Sequence, residues 1–195
     1  MFAVVAAAIA SRAAAQSQWR EYVYPDQQFA VSFPAEPAIA AVPSDSADGP
    51  RVTEKVYFVQ RGTGRFEIAV FDLLRTHMDE PTVIGRAAGA IRQKGEVRVD
   101  LAAEVQGHWG RYLSLAGRDG SRTIAAVFFR NDRLYEIEAT ASASEFDSIS
   151  SDMVRFQQSL RFVGNPRGRR FAPPPAEGAF RILGNRLFVP DARLR

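Results

Sequence analysis

The amino-acid sequence predicts an α+β domain in which a central antiparallel sheet is flanked by two helices. Apolar and polar residues alternate along most of the middle of the chain, which is typical of strands that bury one face. Short segments rich in glycine, asparagine and aspartate separate these strands, as hairpin turns require. Two further segments carry apolar residues at helical spacing instead. Together these observations favour a sheet with helices on its faces.

The first predicted strands lie in the amino-terminal third of the domain. Residues 22–34 are interpreted as an opening hairpin whose second strand places Phe29, Val31 and Phe33 on one face and ends at Pro34. Residues 52–59 and 66–73 alternate in the same way, and the glycine-rich segment 61–65 between them predicts a hairpin loop. This order of elements is a meander.

A second series of strands follows in the middle of the chain. The alternation predicts strands over residues 96–106, 111–116, 123–129 and 134–139. Asp119-Gly120 and Asn131-Asp132 are typical turn pairs between them. His108-Trp109-Gly110 is interpreted as a tight bend with a packing role, and residues 161–163 as a last short strand or docking segment.

Two helices interrupt the strands. The first has Pro81 at its opening, an apolar stripe through Val83 and Ile91, and Gly95 as its stop. The second is predicted to begin at Ser144, with Asp147 completing a capping-box-like pair. An apolar stripe along this helix predicts that the helix packs on a sheet. The stripe comprises Phe146, Ile149, Met153, Phe156 and Leu160.

The chain divides into a predicted signal peptide (1–15), a folded domain (16–163) and a tail (164–195). Residues 2–10 are apolar, and Ala13-Ala14-Ala15 suits cleavage before Gln16. The apolar run ends before Arg12, whereas a membrane-spanning helix needs about 20 apolar residues. We therefore expect a periplasmic or secreted protein, and the alternative for this segment is a buried amino-terminal helix.

The charge distribution bears on which partners the chain binds. The net charge is +3, but residues 165–195 contain seven arginines against Glu177 and Asp191, a net charge of +5. The remainder of the chain therefore carries −2, which argues against nucleic acid as a partner. The chain has no cysteine and two histidines, and no catalytic motif is recognisable. We predict a protein that is not an enzyme and has no cofactor and no metal site.

Several of these segments resemble the PsbP-like family. Residues 24–26 followed by the strand 29–34 resemble the opening of that family, and residues 134–137, the helix from Glu145 and residues 156–162 resemble its closing strand, helix and final segment. The resemblance covers about residues 22–163. It implies an α/β/α sandwich around a central antiparallel sheet, in a family used mainly for docking onto other proteins. It implies no catalytic residues, and the tail lies outside it.

Three groups of polar residues are candidate sites in the domain. His77, Asp79 and Glu80 suit a divalent metal, but an acidic residue before Pro81 also caps a helix, which we favour. The loop that contains Asp45 and Asp48 has spaced acidic residues, but it lacks the calcium-loop pattern and is interpreted as a solvated loop. Arginines at the hairpin ends could form an anion-binding rim, but we favour the interpretation that they keep the surface soluble. These arginines are Arg61, Arg65, Arg118, Arg122, Arg130 and Arg133.

The tail is predicted to be the contact segment for a protein partner in the cell envelope. Pro173-Pro174-Pro175 forms a stiff spacer, and Gly184-Asn185 predicts a terminal hairpin over residues 180–189. The candidate partner-binding residues are Arg167, Arg169, Arg170, Phe180, Leu187 and Phe188. Contact with an anionic membrane is one alternative, and a tail that docks on its own domain or stays disordered is a second. Another is a small-ligand or metal site between sheet and helix, near His77.

Overall fold

A computed structural model describes residues 19–44, 52–73, 78–164, 181–183 and 186–188. Several predicted features lie outside these ranges: the signal peptide 1–15, Asp45 and Asp48, His77, and Arg167, Arg169, Arg170 and Phe180 of the tail.

The described chain forms two α-helices, a single 3₁₀ turn (Pro25–Gln27) and twelve strands. The helices are α1 (Glu80–Arg92) and α2 (Phe146–Gln158). The strands are β1 (Arg20–Tyr24), β2 (Phe29–Phe33), β3 (Ala38–Ser44), β4 (Val52–Arg61), β5 (Gly64–Asp72), β6 (Glu96–Val105), β7 (His108–Ala116), β8 (Arg122–Arg130), β9 (Arg133–Ala141), β10 (Arg161–Phe162), β11 (Arg181–Leu183) and β12 (Arg186–Phe188). In this part of the chain, no helix is long and apolar enough to cross a membrane.

The strands form a large and a small sheet. The large sheet has nine strands in the order β12-β11-β6-β7-β8-β9-β5-β4-β3, and the small sheet has the order β1-β2-β10. The ladders are antiparallel except where β11 runs parallel to β6. The predicted α+β fold with a central sheet and two helices is confirmed, and the small sheet is an addition to it.

The two faces of the large sheet are covered differently. On β8, Ile124 and Ala126 face one core, and Ala125 and Val127 face the other. The first face, which we call the closed face, is covered by α2 and the small sheet. The second, which we call the open face, is covered by α1 over β7, β8 and β9. On the open face, β6 therefore extends beyond α1 on one side, and β5 and β4 extend beyond it on the other.

Two hairpin turns are tighter than the sequence predicted. The β4–β5 turn is Gly62-Thr63, because both strands continue past the predicted loop 61–65. The β6–β7 turn is Gln106-Gly107, with φ values of 52° and 80°. The predicted bend at residues 108–110 is therefore wrong, because the left-handed backbone of the two preceding residues completes the turn and leaves 108–110 in β7.

The two helices begin in different ways. Asp79 caps α1 by accepting a hydrogen bond from the Thr82 amide at 3.4 Å, as the capping interpretation predicted. The capping box predicted for α2 is wrong, since its N-cap is Glu145 and no side chain caps it. The Glu145 carboxylate instead accepts hydrogen bonds from the Thr63 amide at 2.9 Å and hydroxyl at 2.7 Å. These bonds fasten the β4–β5 turn to the start of α2.

The terminal strands lie at the outer end of the large sheet. β11 and β12 pair antiparallel, with Ile182 opposite Leu187. β11 also pairs with β6, with Ile182 opposite Val105. Two of the candidate partner-binding residues, Leu187 and Phe188, thus lie on β12.

Candidate functional site

A groove of about 500 Å³ lies on the open face between α1 and strands β6 and β7. Its size falls within the range of ligand pockets. We call it the α1 groove, and its lining residues are Glu80, Pro81, Ile84, Gly85, Ala88, Arg92, Ala102, Trp109, Gly110 and Arg111.

The groove exists because small residues line it where helix and strand approach each other. Residues 81, 84, 85, 88 and 92 recur at helical spacing beside the buried stripe of α1, so they share the side that faces β6. Gly85, Ala88 and Ala102 fill little of the space. A Cβ atom built on Gly85 meets no atom within 4 Å. Ile84 and Trp109 supply the larger apolar surfaces.

One end of the groove carries a net positive charge. The Arg92 Nε donates to Asp100 Oδ2 at 2.8 Å, and the Arg111 Nε donates to Asp100 Oδ1. Burial alone would raise the pKa of Asp100, but the two guanidinium groups outweigh it and hold this pKa below its usual value. Each guanidinium has five N–H donors, more than one shared carboxylate accepts. This end is therefore suited to a further anionic group.

The opposite end of the groove is acidic. Glu80 lies in the first turn of α1, and burial raises its pKa to about 7. The axial distance from Glu80 to Arg92 is about 18 Å, since a helix rises 1.5 Å per residue. Above about pH 7, where the Glu80 carboxyl is mostly ionised, the groove thus presents opposite charges at its two ends with apolar surface between them.

A glutamate cluster lies on the open face on the other side of α1. Glu67 and Glu138 are opposite each other on β5 and β9, and they pair with Arg65 and Lys94, each at 2.6 Å. Burial, reinforced by Glu138, Glu54 and Glu67 and opposed by Lys94, raises the pKa of Glu136 to about 7. Among the described residues, no group of three acidic or histidine side chains is placed to hold a metal.

A larger depression of about 830 Å³ lies between the end of α1 and the β7–β8 turn. Its lining is mostly polar and includes Lys94, Glu96, Arg118 and Asp119. We favour the α1 groove as the binding site, because apolar surface combined with a few placed charges is what binding sites usually offer.

The hairpin arginines do not form one surface, so the anion-binding rim, which was the less favoured interpretation, is not formed. Arg61 pairs with Asp152 at 2.9 Å, and the two β4–β5 arginines lie at the opposite end of the sheet from Arg130. Arg130 was predicted to be exposed, but it is only 4% exposed, so that prediction is wrong. It donates to the carbonyls of Val163 and Gly164, both at 3.4 Å, because the end of the domain folds over it.

The described histidine has a packing role. The His108 ring lies edge-on against Phe162, with centroids 5.2 Å apart. Burial and the neighbouring Arg130 both lower the pKa of His108. The packing interpretation of His108 is confirmed, although its neighbour Trp109 lines the groove instead.

Sequence reasoning gave a site between sheet and helix only as an alternative, and of the groove's lining residues it weighed Glu80 alone as a site residue. Arg92 lies in the first predicted helix, and Asp100 and Arg111 lie in predicted strands, with no site assigned to any of them. A usable signal was present in α1, where Gly85 and Gly89 both lower helix propensity without serving as a stop. No sequence signal places Asp100 between two arginines from other elements.

Comparison with solved structures identifies the fold. The solution structure of cyanobacterial PsbP (CyanoP) from Synechocystis sp. PCC 6803 is similar, with a TM-score of 0.51 over 75% of this chain and 93% of that chain. The chain has a PsbP-like fold. At 12% sequence identity the similarity is one of fold alone. No family model and no curated protein matches the sequence. The PsbP-like resemblance inferred from the sequence is thus confirmed for the fold.

Proposed function

We propose that the chain is a non-enzymatic accessory domain of the cell envelope that binds a partner protein through the α1 groove. The observation that carries this proposal is an apolar groove with oppositely charged ends on the less covered face of the sheet. The PsbP-like fold agrees with it, since the resemblance implies a family used mainly for docking onto other proteins. Export rests on the predicted signal peptide.

The chemistry of the groove suits binding to a segment of protein. Apolar side chains buried near the centre of an interface supply most of its binding energy. Charges at the rim contribute orientation and specificity more than affinity. Ile84 and Trp109 provide the apolar centre, and Glu80 and Arg111 provide the charged ends. This arrangement orients a bound segment along α1.

Two of the described titratable groups, His108 and Asp100, are held in structural contacts, which supports a non-catalytic role. General acid–base catalysis needs a base within hydrogen-bond reach of the group that reacts. His108 faces the Phe162 ring, and Asp100 is held between two arginines. These groups therefore serve packing and charge pairing.

We include the basic tail in the proposed interaction surface. β11 pairs with β6 at Val105, one residue from Glu104, whose ladder partner is Trp109 of the groove. The tail is thereby anchored beside the acidic end of the groove. Its arginines at 167, 169 and 170 are proposed to contact acidic groups of the same partner.

The test is affinity capture from the envelope fraction of the native host, using the full chain. Gly85→Leu fills the groove, whereas Gly89→Leu adds the same side chain to α1 outside the groove lining, and a Cβ at either position meets no atom within 4 Å. We expect the first variant to lose the partner and the second to keep it. Equal capture by both variants would refute the groove as the binding site.

A chain that ends at Val163 tests the contribution of the tail in the same assay. We expect weaker capture, because multivalent contact raises the overall affinity. Unchanged capture would remove the tail from the proposed surface.

The groove volume also favours a second candidate function, the binding of a small amphipathic anion. About 500 Å³ is enough for such a ligand, with its anionic group at Arg92 and Arg111. Mass spectrometry of the chain purified from its native host would detect a co-purified small molecule. A ligand found in the parent chain and absent from Gly85→Leu would favour this candidate over a protein partner.

A further inference from the structure

We propose that two copies of the chain pair through the outer edge of β3, so that their large sheets join into one continuous sheet. The two strands run antiparallel and are related by a two-fold axis at Ala40. β3 is the last strand of the large sheet, at the opposite end from β11 and β12. This inference does not depend on the proposed function, because the β3 edge and the α1 groove are different parts of the molecule.

The first argument is the exposure of β3. Ile39 is 60% exposed, the highest value for a large apolar side chain among the described residues, and Ala38 and Ala41 are exposed as well. These side chains lie on both faces of the sheet, since successive residues of a strand alternate. Ser44, the last residue of β3, lies opposite Val52, the first residue of β4, so the chain joins the two strands at that end. The exposed residues lie towards the other end and form an open sheet edge.

The second argument is the direction of the backbone groups. The two-residue turn between β4 and β5 closes on a hydrogen-bonded pair, Arg61 and Gly64. Hydrogen-bonded and non-hydrogen-bonded pairs alternate along an antiparallel ladder, so Val56 directs its backbone groups away from β5 and towards β3. Val56 lies opposite Ala40, which therefore bonds to β4. The residues on either side of Ala40 direct their N–H and C=O groups outward; they are Ile39 and Ala41.

The third argument is the position of two prolines. Proline has no N–H group, and within sheets it is found where that position faces away from the ladder. Pro43 follows Ala41 by two residues, and Pro37 precedes Ile39 by two, so both prolines fall in the outward series. The edge therefore offers two outward N–H groups with a proline on either side of them.

This arrangement of donors favours a second copy of the chain as the partner. A two-fold axis at Ala40 places Ile39 of each copy opposite Ala41 of the other, and each of these pairs makes both of its hydrogen bonds, four in all. An axis at Ile39 or Ala41 instead sets a proline opposite one of these residues, and that pair makes a single bond. The edge is thus complementary to itself, as a two-fold interface requires.

The side chains suit the same register. Ile39 lies opposite Tyr57 of β4 and so belongs to the closed face, where it meets the smaller Ala41 of the other copy. On the open face the two Ala40 residues meet each other. Residues 37–43 carry no charge, so the pairing brings no like charges together. They also lack the lysines with which many proteins prevent pairing of sheet edges.

The dimer has a consequence for binding. The two-fold axis runs perpendicular to the joined sheet, because the paired strands are neighbours in that sheet. Both open faces therefore lie on the same side, and the dimer presents two α1 grooves in the same direction. Two linked grooves raise the overall affinity for a partner that offers two binding segments.

Cysteine cross-linking of the full chain tests the pairing and its register. The chain has no cysteine, so a single introduced cysteine can join only two copies. Ala40→Cys places the two cysteines in a non-hydrogen-bonded pair with Cα atoms about 4.5 Å apart, which a disulfide can span. The matched control is Ala38→Cys, whose two copies lie four residues apart along the ladder, about 14 Å, although Ala38 is the more exposed residue.

We expect Ala40→Cys to form a disulfide-linked dimer in a glutathione redox buffer, and Ala38→Cys to remain a single chain on a non-reducing gel. Cross-linking of Ala38→Cys at the same rate or faster would indicate random collision. That result, or the absence of a cross-link in Ala40→Cys, would overturn the proposal.

Sedimentation equilibrium measures the association without a cross-link. Four main-chain hydrogen bonds form a small interface, so we expect a reversible dimer with a dissociation constant on the order of micromolar or weaker. Ala41→Pro removes two of the four bonds, whereas Ala41→Val adds a side chain of similar volume and keeps them. The proline variant should associate at least about tenfold more weakly than the valine variant. Equal association of the two folded variants would overturn the proposal.

A third variant, Ile39→Lys, applies where the melting temperature shows that the proline variant does not fold. Ile39 is exposed, so lysine leaves the core unchanged, and it should weaken the dimer because it places a charge on the paired edge. Undiminished association of this variant would overturn the proposal. If the parent chain is a monomer at every concentration, and Ile39→Lys loses a captured protein that Gly85→Leu keeps, the edge binds a different protein, which would also overturn the dimer.

Discussion

The two faces of the large sheet differ in what covers them and in the residues they carry. The closed face lies under α2 and the small sheet, and its core is rich in buried aromatic side chains. The open face lies under α1, whose buried residues are Val83, Ala87, Ala88 and Ile91. The glutamate cluster, the pairing of Asp100 with Arg92 and Arg111, and the α1 groove are on this second face. The difference suggests that the closed face mainly stabilises the fold, while the open face is available for recognition.

Phe156→Ala should give the largest effect, since Phe156 lies at the centre of the closed face. It is fully buried, and its ring centroid lies 5.0 Å from that of Phe33 and 5.6 Å from that of Phe66. Removing such a ring leaves a cavity and lowers the free energy of unfolding by about 3–5 kcal/mol. Urea denaturation followed by circular dichroism measures this loss.

Ile84→Ala is the matched change on the open face. Ile84 is only half-buried and lines the groove, so a loss of about 1 kcal/mol is expected. Losses of similar size at both positions would break the distinction between a stabilising face and a recognition face.

A smaller, pH-dependent effect is expected from Glu136 in the glutamate cluster. Its pKa is about 7 in the folded chain, above the ordinary value of 4.5. The unfolded chain therefore releases this proton at lower pH than the folded chain, and stability declines as the pH rises from about 5 to 8. Glu136→Gln should increase the free energy of unfolding on the order of 2 kcal/mol at pH 8 and change it little at pH 5.

Urea denaturation at several pH values between 5 and 8 tests this expectation. Glu80, whose pKa is also about 7, contributes in the same direction, so part of the pH dependence should remain in Glu136→Gln. The double variant with Glu80→Gln should remove most of the rest. A stability that rises with pH over this range would contradict the assignment of both groups.

The sequence was sufficient to predict most of the fold because its signals are local. Alternation located the strands of the meander, and the spacing in α2 predicted that Met153 and Phe156 would be buried. Turn boundaries were less accurate, since Gln106 adopts a positive φ without being glycine. Local sequence patterns therefore predict the helices and strands well, but they predict the turns that join them less accurately.

The candidate site could not be predicted in the same way. The groove brings residues of α1 next to residues of β6 and β7, and the pairing of Asp100 with Arg92 and Arg111 joins three elements. Arg130 illustrates the same limit, because its burial depends on the chain end at Val163 and Gly164. Such contacts follow from tertiary packing, which periodicity does not encode.

The smallest expected effect comes from alanine at the two helical glycines of the open face. A Cβ at Gly85 or Gly89 meets no atom within 4 Å, so neither variant is strained. Each should gain about 0.5–1 kcal/mol in the free energy of unfolding, because alanine favours the helix more than glycine does. For a domain of this size, the melting temperature should rise by about 2 °C in both variants.

Affinity capture from the envelope fraction then distinguishes the two positions. The methyl group at Gly85 enters the α1 groove, so this variant should capture less of the partner, whereas the Gly89 variant should capture as much as the parent chain does. Weaker binding in both variants would mean that helix rigidity, rather than the shape of the groove, controls recognition. Because the two changes are chemically identical and stabilise the same helix, any difference in binding between them reports on the groove itself.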